Sequence, residues 1–302
     1  MATDKTVSAK EALKIAEEAA AKGDREKAIK YYNAVLQKYP DNEKAIAGYQ
    51  KLHPNTLFRS DIDDLEKLFS EGKHKEVEVR AGMYLERYPD VAELWNLLGS
   101  VTLINGNAEK ALGHFKKAAT IEPYNADIQF NLGNAFRATG DIKRAKISYD
   151  QSMKFNEKHV GAMNAQGTIY MQEKQFKNAV GIFMKAAKLA PKSVGTLANT
   201  AIALKAIGDY NQAINYYRRV IDFDGTPLRI FIDLADCELL NGNPDEARRI
   251  FEIITNEGPE NYMAHFQYGL FLKKIGDEAG ADEQFEKAIK LNPDLKVPGK
   301  VN

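Results

Sequence analysis

A repeat of 34 residues constrains the fold of this chain more than any other feature of its sequence. From Ala92 to Leu295, glycine, alanine, aromatic and proline residues return at fixed offsets through six units without an insertion or deletion. Two earlier units span residues 9–42 and, in degenerate form, 58–91, which makes eight. Each unit contains two stretches with apolar residues three and four positions apart, the spacing of an amphipathic helix. The sequence therefore predicts an all-α fold of about eight helix-turn-helix repeats.

Small and large residues alternate within each unit in a way that predicts close helix packing. In the unit that begins at Ala92, Gly99 and Ala111 allow two helices to approach, and Phe115 fills the space beside them. Gly106 interrupts the helical pattern between the two stretches. Full burial of Trp95 would make Trp95→Ala cost about 3–5 kcal/mol of stability.

The combination of these positions resembles the tetratricopeptide-repeat (TPR) family. The unit period and its tryptophan, Leu-Gly, aromatic, alanine and proline positions cover nearly the whole chain. The resemblance implies a right-handed TPR superhelix, that is, an α-solenoid, whose first helices line a concave groove. It also implies that the chain holds another protein or peptide rather than catalysing a reaction.

Composition argues against several other classes of function. The chain has 42 basic and 42 acidic residues, and this balance does not favour binding to nucleic acid or to an anionic membrane. No apolar run is long enough for membrane insertion, and the amino terminus lacks the pattern of a signal peptide. The single cysteine, Cys237, excludes an internal disulfide. These features predict a cytoplasmic protein.

The amino-terminal region departs from the regular frame. An extra segment, residues 43–57, follows the first unit, and its first part, 43–52, has the pattern of a lone helix. We predict an amino-terminal TPR unit with an extra helix at 1–52, a hinge at 53–57 and seven contiguous repeats at 58–295, followed by a tail at 296–302. The alternative is a simple bulge within one continuous superhelix.

The carboxyl end lacks the polar capping helix that usually closes a solenoid. Three explanations are open: the natural protein continues past Asn302, the chain self-associates through this end, or the last helix is polar enough by itself. Residues 26–140 also resemble the TPR arrays that precede sulfotransferase, glycosyltransferase or iron-dependent oxygenase domains in bacterial proteins. One alternative function is therefore the substrate-recruiting part of a larger bacterial enzyme, and another is a self-assembling structural protein.

The sequence contains no convincing catalytic or metal-binding pattern. Its five histidines lie far apart at different repeat positions, and no phosphate-binding glycine-rich loop is present. Cys237 is expected to be a buried structural thiol. Asp233 and Asp236 share one helical face and are expected to line a solvated groove rather than act as paired catalytic carboxylates. We expect no enzymatic activity, no cofactor and no metal.

The resemblance to TPR proteins assigns a set of groove-lining residues. In that family, positions 2, 5, 6, 9 and 12 of the first helix face the groove. The predicted peptide-binding residues are Asn96, Phe130, Asn131, Asn134, Arg137, Asn164, Met171, Asn199 and Lys205. Leu239, Phe266 and Leu270 add apolar anchors suited to a peptide or helix.

Asparagine recurs at these groove positions, as it does in the similar ladder of O-GlcNAc transferase repeats. A carboxamide has both donor and acceptor groups, so it can bond the backbone of an extended peptide. The alternative is that some of these asparagines bond neighbouring helices within the stack. Heat-shock chaperone adaptors of this family hold the C-terminus of a peptide with a carboxylate clamp of asparagines, lysines and arginine. The third to fifth repeats lack the lysines, so a clamp of that kind is not expected. The leading hypothesis is a protein-interaction scaffold that binds an extended peptide or helix in its concave groove.

Overall fold

The computed structural model describes residues 8–39, 42–52 and 59–297, and the regular structure within these ranges is α-helical. This confirms the predicted all-α fold. The helices are α1 Ala9–Ala21, α2 Arg25–Lys38, α3 Glu43–Leu52, α4 Arg59–Ser70, α5 His74–Leu85, α6 Ala92–Ile104, α7 Ala108–Ile121, α8 Ala126–Ala138, α9 Ile142–Phe155, α10 Val160–Gln172, α11 Phe176–Leu189, α12 Val194–Ala206, α13 Tyr210–Ile221, α14 Leu228–Leu240, α15 Pro244–Glu257, α16 Tyr262–Lys274 and α17 Glu278–Leu291.

The helix starts reproduce the sequence period. From α6 onward, the first helices of successive pairs begin 34 residues apart, and so do the second helices. Short turns join the two helices of a pair, which is the connection of an αα-hairpin. Where the sequence breaks at Gly106, the chain takes a φ of 83°, a left-handed conformation that glycine adopts without strain. The predicted helix-turn-helix repeats are therefore confirmed.

The chain forms two compact units, residues 1–148 and 149–302, with the division inside α9. In the first unit, α3 packs against both α1 and α2. Its Gly48 lies directly against the ring of Tyr32, where no side chain would fit. The predicted hinge at 53–57 lies outside the described residues, and the predicted domain limits stay a prediction.

Aromatic rings lie in close contact with glycines where the two helices of a pair pack together. A Cβ atom added to Gly99 would lie 2.7 Å from the ring of Phe115. The corresponding distance is 2.5 Å for Gly167 and Phe183, and 2.6 Å for Gly269 and Phe285. Real Cβ contacts are longer than this, so each glycine is needed for the close approach. The predicted role of Gly99 and Phe115 is confirmed.

Trp95 on α6 does not meet the condition of full burial. Its side chain is half-buried, and its Nε1 donates a 2.7 Å hydrogen bond to the carbonyl of Pro89. His114 stacks on the ring at 5.5 Å between centroids, and the Lys117 ammonium lies 4.2 Å from the ring centroid. The full-burial cost therefore does not apply to Trp95.

Candidate functional site

The first helix of each pair carries the predicted peptide-binding residues. Asn96 lies on α6, and Phe130, Asn131, Asn134 and Arg137 lie on α8, all within the first unit. The other four, which are Asn164, Met171, Asn199 and Lys205, lie on α10 and α12 of the second unit. Each unit therefore presents its own part of the predicted surface.

Two of the asparagines are bonded to each other across adjacent repeats. The Nδ2 atom of Asn131 donates a 3.0 Å hydrogen bond to Oδ1 of Asn96, and both side chains are half-buried. This bond agrees with the alternative that asparagines join neighbouring helices. It uses only part of their capacity, since each carboxamide has two N–H groups and an oxygen with two lone pairs. The pair is thus held in place and keeps polar capacity for a further partner.

The rest of α8 places an aromatic ring and a cation near this amide pair. Phe130 and Asn134 are half-buried, four residues apart, so they share one face of the helix. Arg137 is exposed near the carboxyl end of α8 and has no ion-pair partner within the described part of the chain. We call Asn96, Phe130, Asn131, Asn134 and Arg137 the α8 surface. It combines amide, aromatic and guanidinium groups.

Asn164 takes part in an inter-repeat contact of a different kind. Its Nδ2 atom donates a 2.8 Å hydrogen bond to Oγ1 of Thr196, in the first turn of the next first helix, α12. Its Oδ1 atom is shielded from solvent and has no hydrogen bond among the described residues. Met171, on the same helix, packs beside Phe183 and Ala203. Asn164 therefore contributes to the stack, as the alternative reading of the asparagines expects.

Asn199 on α12 is the remaining predicted asparagine. It is half-buried, and its side chain has no hydrogen bond in the part of the chain that the structure describes. Its carboxamide therefore keeps its full capacity to donate and accept.

Lys205 joins α12 to the next first helix, α14. Its Nζ atom lies 2.8 Å from Oδ1 of Asp233 and 3.1 Å from Oδ2 of Asp236. Burial lowers the pKa of Lys205, but hydrogen bonds and charges from the two aspartates outweigh it and raise the pKa above its usual value. The positive charge of the Lys205 ammonium is therefore already balanced by these two carboxylates. This role makes Lys205 a structural link between repeats more than a free contact for a ligand.

Sequence reasoning missed this link although its signal was present. It placed Asp233 and Asp236 on one groove-lining face but did not pair them with Lys205. The lysine occupies the twelfth position of its first helix, and the aspartates occupy the sixth and ninth positions of the next. Opposite charges at these positions in consecutive repeats are the pattern that would have indicated the contact.

The second contact that the sequence analysis did not predict involves Glu238 on α14. The Glu238 side chain is only 3% exposed, and its carboxylate accepts hydrogen bonds from Arg218 at 2.8 Å and from Asn243 at 3.0 Å. These bonds compensate the buried charge, as a buried carboxylate requires. The contact ties α13, α14 and the turn after α14 together, so its role is structural.

Apolar side chains occupy groove positions of the last two repeats. Leu239, Phe266 and Leu270 are half-buried and pack against the core of the second unit. Each keeps part of its surface exposed, which is the condition for contact with a ligand. Their predicted role as anchors stays a prediction.

Cys237 is not an activated nucleophile. Cys237 is fully buried, and burial raises the pKa of its thiol to about 12. A thiol in this state is a poor nucleophile. Within the described ranges, no group of three or more His, Cys, Asp and Glu side chains is placed to hold a metal ion. No described helix combines the length and hydrophobicity needed to cross a membrane.

Tetratricopeptide-repeat family models match most of the chain. The matched residues are 12–42, 83–127, 126–159, 160–193, 204–267 and 264–295. Together with the observed repeats, these matches show that the chain belongs to the tetratricopeptide-repeat family.

The first curated relatives that match this chain are longer than it is. Anaphase-promoting complex subunit 3 of Schizosaccharomyces pombe is 22% identical over 83% of this chain and 38% of its own length. The chain spans less than half the length of the curated relatives it matches first.

The solved structures that share the fold include two TPR proteins of other sequences. The C-terminal part of a TPR repeat-containing protein from Cytophaga hutchinsonii has a TM-score of 0.64 and 12% identity, covering 78% of this chain and 96% of its own. YrrB, described as a TPR protein with an unusual peptide-binding site, has a TM-score of 0.52 and 22% identity, covering 60% of this chain and 93% of its own.

Proposed function

We propose that this protein is an interaction scaffold that binds an extended segment or helix of a partner protein along its first helices. The α8 surface is the principal contact in this proposal. The carrying observation is the Asn96–Asn131 amide pair, which is held by a 3.0 Å hydrogen bond and keeps spare donors and acceptors. An extended peptide offers a complementary N–H and C=O at each residue.

The neighbours of the amide pair suggest what else the partner provides. Phe130 is half-buried and supplies an apolar surface, and aromatic side chains are frequent anchors at protein interfaces. Arg137 is exposed and unpaired within the described ranges, so it suits a carboxylate of the partner. The preferred ligand is therefore a peptide with an apolar side chain and an acidic group.

Related proteins support the general role. The relative in S. pombe is a subunit of the anaphase-promoting complex, and the structural neighbour YrrB has a peptide-binding site by description. Both are consistent with protein binding as the function of the present chain. Roles as part of a larger bacterial enzyme or as a self-assembling structural protein stay predictions.

Peptide selection tests this proposal. A library of displayed peptides is selected on the native protein and tested against a Phe130→Ala/Asn131→Ala/Arg137→Ala variant. A Lys143→Ala/Ile147→Ala/Gln151→Ala variant is the matched control, because these three side chains are exposed on the second helix α9. Circular dichroism checks that both variants are folded.

The expected result is that selected peptides bind the native protein and the α9 control but lose at least about tenfold in affinity for the α8 variant. Peptides that bind the α8 variant as tightly as the native protein would refute the assignment of the α8 surface.

A further inference from the structure

A groove on the second-helix side of the second unit is separate from the α8 surface. It has a volume of about 730 Å³, which is within the usual range for ligand pockets, and it lies among α9, α10 and α11. Met153, Met163, Tyr170 and Ile182 form its buried and half-buried floor. The groove is open because Gly181, on α11, has no side chain, and a Cβ atom there would meet nothing within 4 Å.

The floor has the chemistry of an adaptable binding surface. Methionine side chains are flexible and polarizable, and they are frequent where one surface receives apolar side chains of varied shape. Met163 is buried, whereas Met153 and Ile182 keep exposed surface toward the groove. An apolar side chain of a partner would therefore be received between α9 and α11.

Two exposed lysines border the groove on α11. Lys177 and Lys185 have no ion-pair partner within the described residues. They are eight residues apart, so they are separated by about 12 Å along the helix. The acidic residue Glu157 lies on the α9 side. Carboxylates about two helical turns apart on a partner would match both lysines.

The charge of the surrounding chain agrees with an acidic partner. Residues 149–192 contain seven basic and three acidic residues, a net charge of +4. Residues 193–302 contain twelve basic and seventeen acidic residues, a net charge of −5. The groove therefore lies in a locally basic segment of an electrically neutral chain, and such a field favours acidic ligands.

We propose that this groove binds an acidic amphipathic helix of a partner protein, with apolar side chains on the methionine floor and carboxylates on Lys177 and Lys185. This mode is that of a helix in a groove. The apolar floor argues for a protein segment over a nucleic acid, whose backbone needs a continuous row of cations. The proposal does not depend on the α8 surface.

Methyl NMR of the full chain provides the test. The chain has seven methionines, of which Met153 and Met163 line the groove, whereas Met83 is exposed on α5 and reports non-specific adhesion. The probe is a synthetic helical peptide of about sixteen residues with leucines on one face and two glutamates about eight residues apart. It is titrated to about 1 mM, which detects even weak binding.

The expected result is a shift of the Met153 and Met163 methyl signals without a shift of Met83. Gly181→Phe, which fills the groove, should abolish these shifts, and Lys177→Glu/Lys185→Glu should weaken binding by about tenfold or more. Two controls should bind normally. Lys273→Glu/Lys274→Glu also reverses two exposed charges, on α16 outside the groove, and Gly113→Phe makes the same replacement at an exposed position of α7.

Three results would overturn the proposal. The groove signals stay unchanged at about 1 mM peptide, or they shift equally in Gly181→Phe. An oligonucleotide that shifts the same methyls at lower concentration than the peptide would assign the surface to nucleic acid. Concentration-dependent shifts of Met153 without peptide, together with dimers in sedimentation, would assign it to a second copy of the chain.

Discussion

Replacing Gly167 by alanine tests how closely α10 and α11 approach. The added methyl group would lie 2.5 Å from the ring of Phe183, which is only 1% exposed and has little room to move. Overpacking of this kind costs about 1–3 kcal/mol. Alanine also favours the helix over glycine by about 1 kcal/mol, which offsets part of the loss.

Gly181→Ala isolates the steric effect because it makes the same change on α11 of the same repeat. A methyl group at Gly181 meets nothing within 4 Å, so only the helix preference acts and stability should rise by about 0.5–1 kcal/mol. The difference between the two variants should therefore equal the overpacking cost, about 1–3 kcal/mol. Ala201 and Ala235 occupy the position of Gly167 in the next two repeats and are fully buried, so the variant should stay folded.

Urea unfolding of the two variants and the native protein, followed by circular dichroism, measures this difference. Repeat proteins do not always unfold in one step, so the curves are compared by midpoint and by slope. Equal stabilisation of both variants would show that Gly167 is not compressed by Phe183 and would refute the packing described for these helices.

Three further variants test local features of the structure. Lys174→Gly should stabilise the fold by about 0.5–1 kcal/mol in urea unfolding, because Lys174 has a φ of 58° where the seven other repeats have glycine. Lys205→Met should destabilise it by about 1–2 kcal/mol, since Asp236 loses its ammonium partner and Asp233 keeps only Arg229 at 3.7 Å. Burial, helped by Lys110 and Lys117, lowers the pKa of His114, so the unfolded chain binds the proton more readily. The free energy of unfolding should therefore fall as the pH drops below about 6.5, and His114→Phe should weaken this dependence. Fluorescence of Trp95, which stacks on His114, monitors unfolding at each pH.

Matched controls separate these effects from general disturbance. Lys185→Gly, at an exposed position in the interior of α11, should lose about 1 kcal/mol, opposite in sign to Lys174→Gly. Lys273→Met, at the position of Lys205 two repeats later, should be nearly neutral because Lys273 is exposed and unpaired within the described ranges. A variant that changes stability no more than its control, or in the direction opposite to that expected, would contradict the contact it tests. A pH dependence that His114→Phe leaves unchanged would contradict the role of His114.

The fold was predictable because one period determines most of it. Once Gly99 and Phe115 are placed on paired helices, the same offsets locate Gly167 with Phe183 and Gly269 with Phe285, and the structure shows all three contacts. The period also identifies which residues the first helices carry.

The site was less predictable because repeat position does not determine side-chain partners. Asn96 and Asn131 occupy the fifth and sixth positions of their helices, yet they bond each other, and Asn164 bonds Thr196 instead. Lys205 bonds two aspartates of the next repeat. These contacts depend on how adjacent repeats are packed, which the pattern within a single repeat does not contain.

Site-specific photo-cross-linking shows whether a partner protein binds along the first helices. A benzophenone amino acid replaces Phe130 on α8 in one variant and the exposed Ile147 on α9 in a control. Both variants are irradiated in an extract of the source cell and examined for covalent protein adducts. We expect a discrete protein adduct in the position 130 variant and no such adduct in the position 147 variant. No adduct at position 130, or the same adducts at both positions, would contradict it.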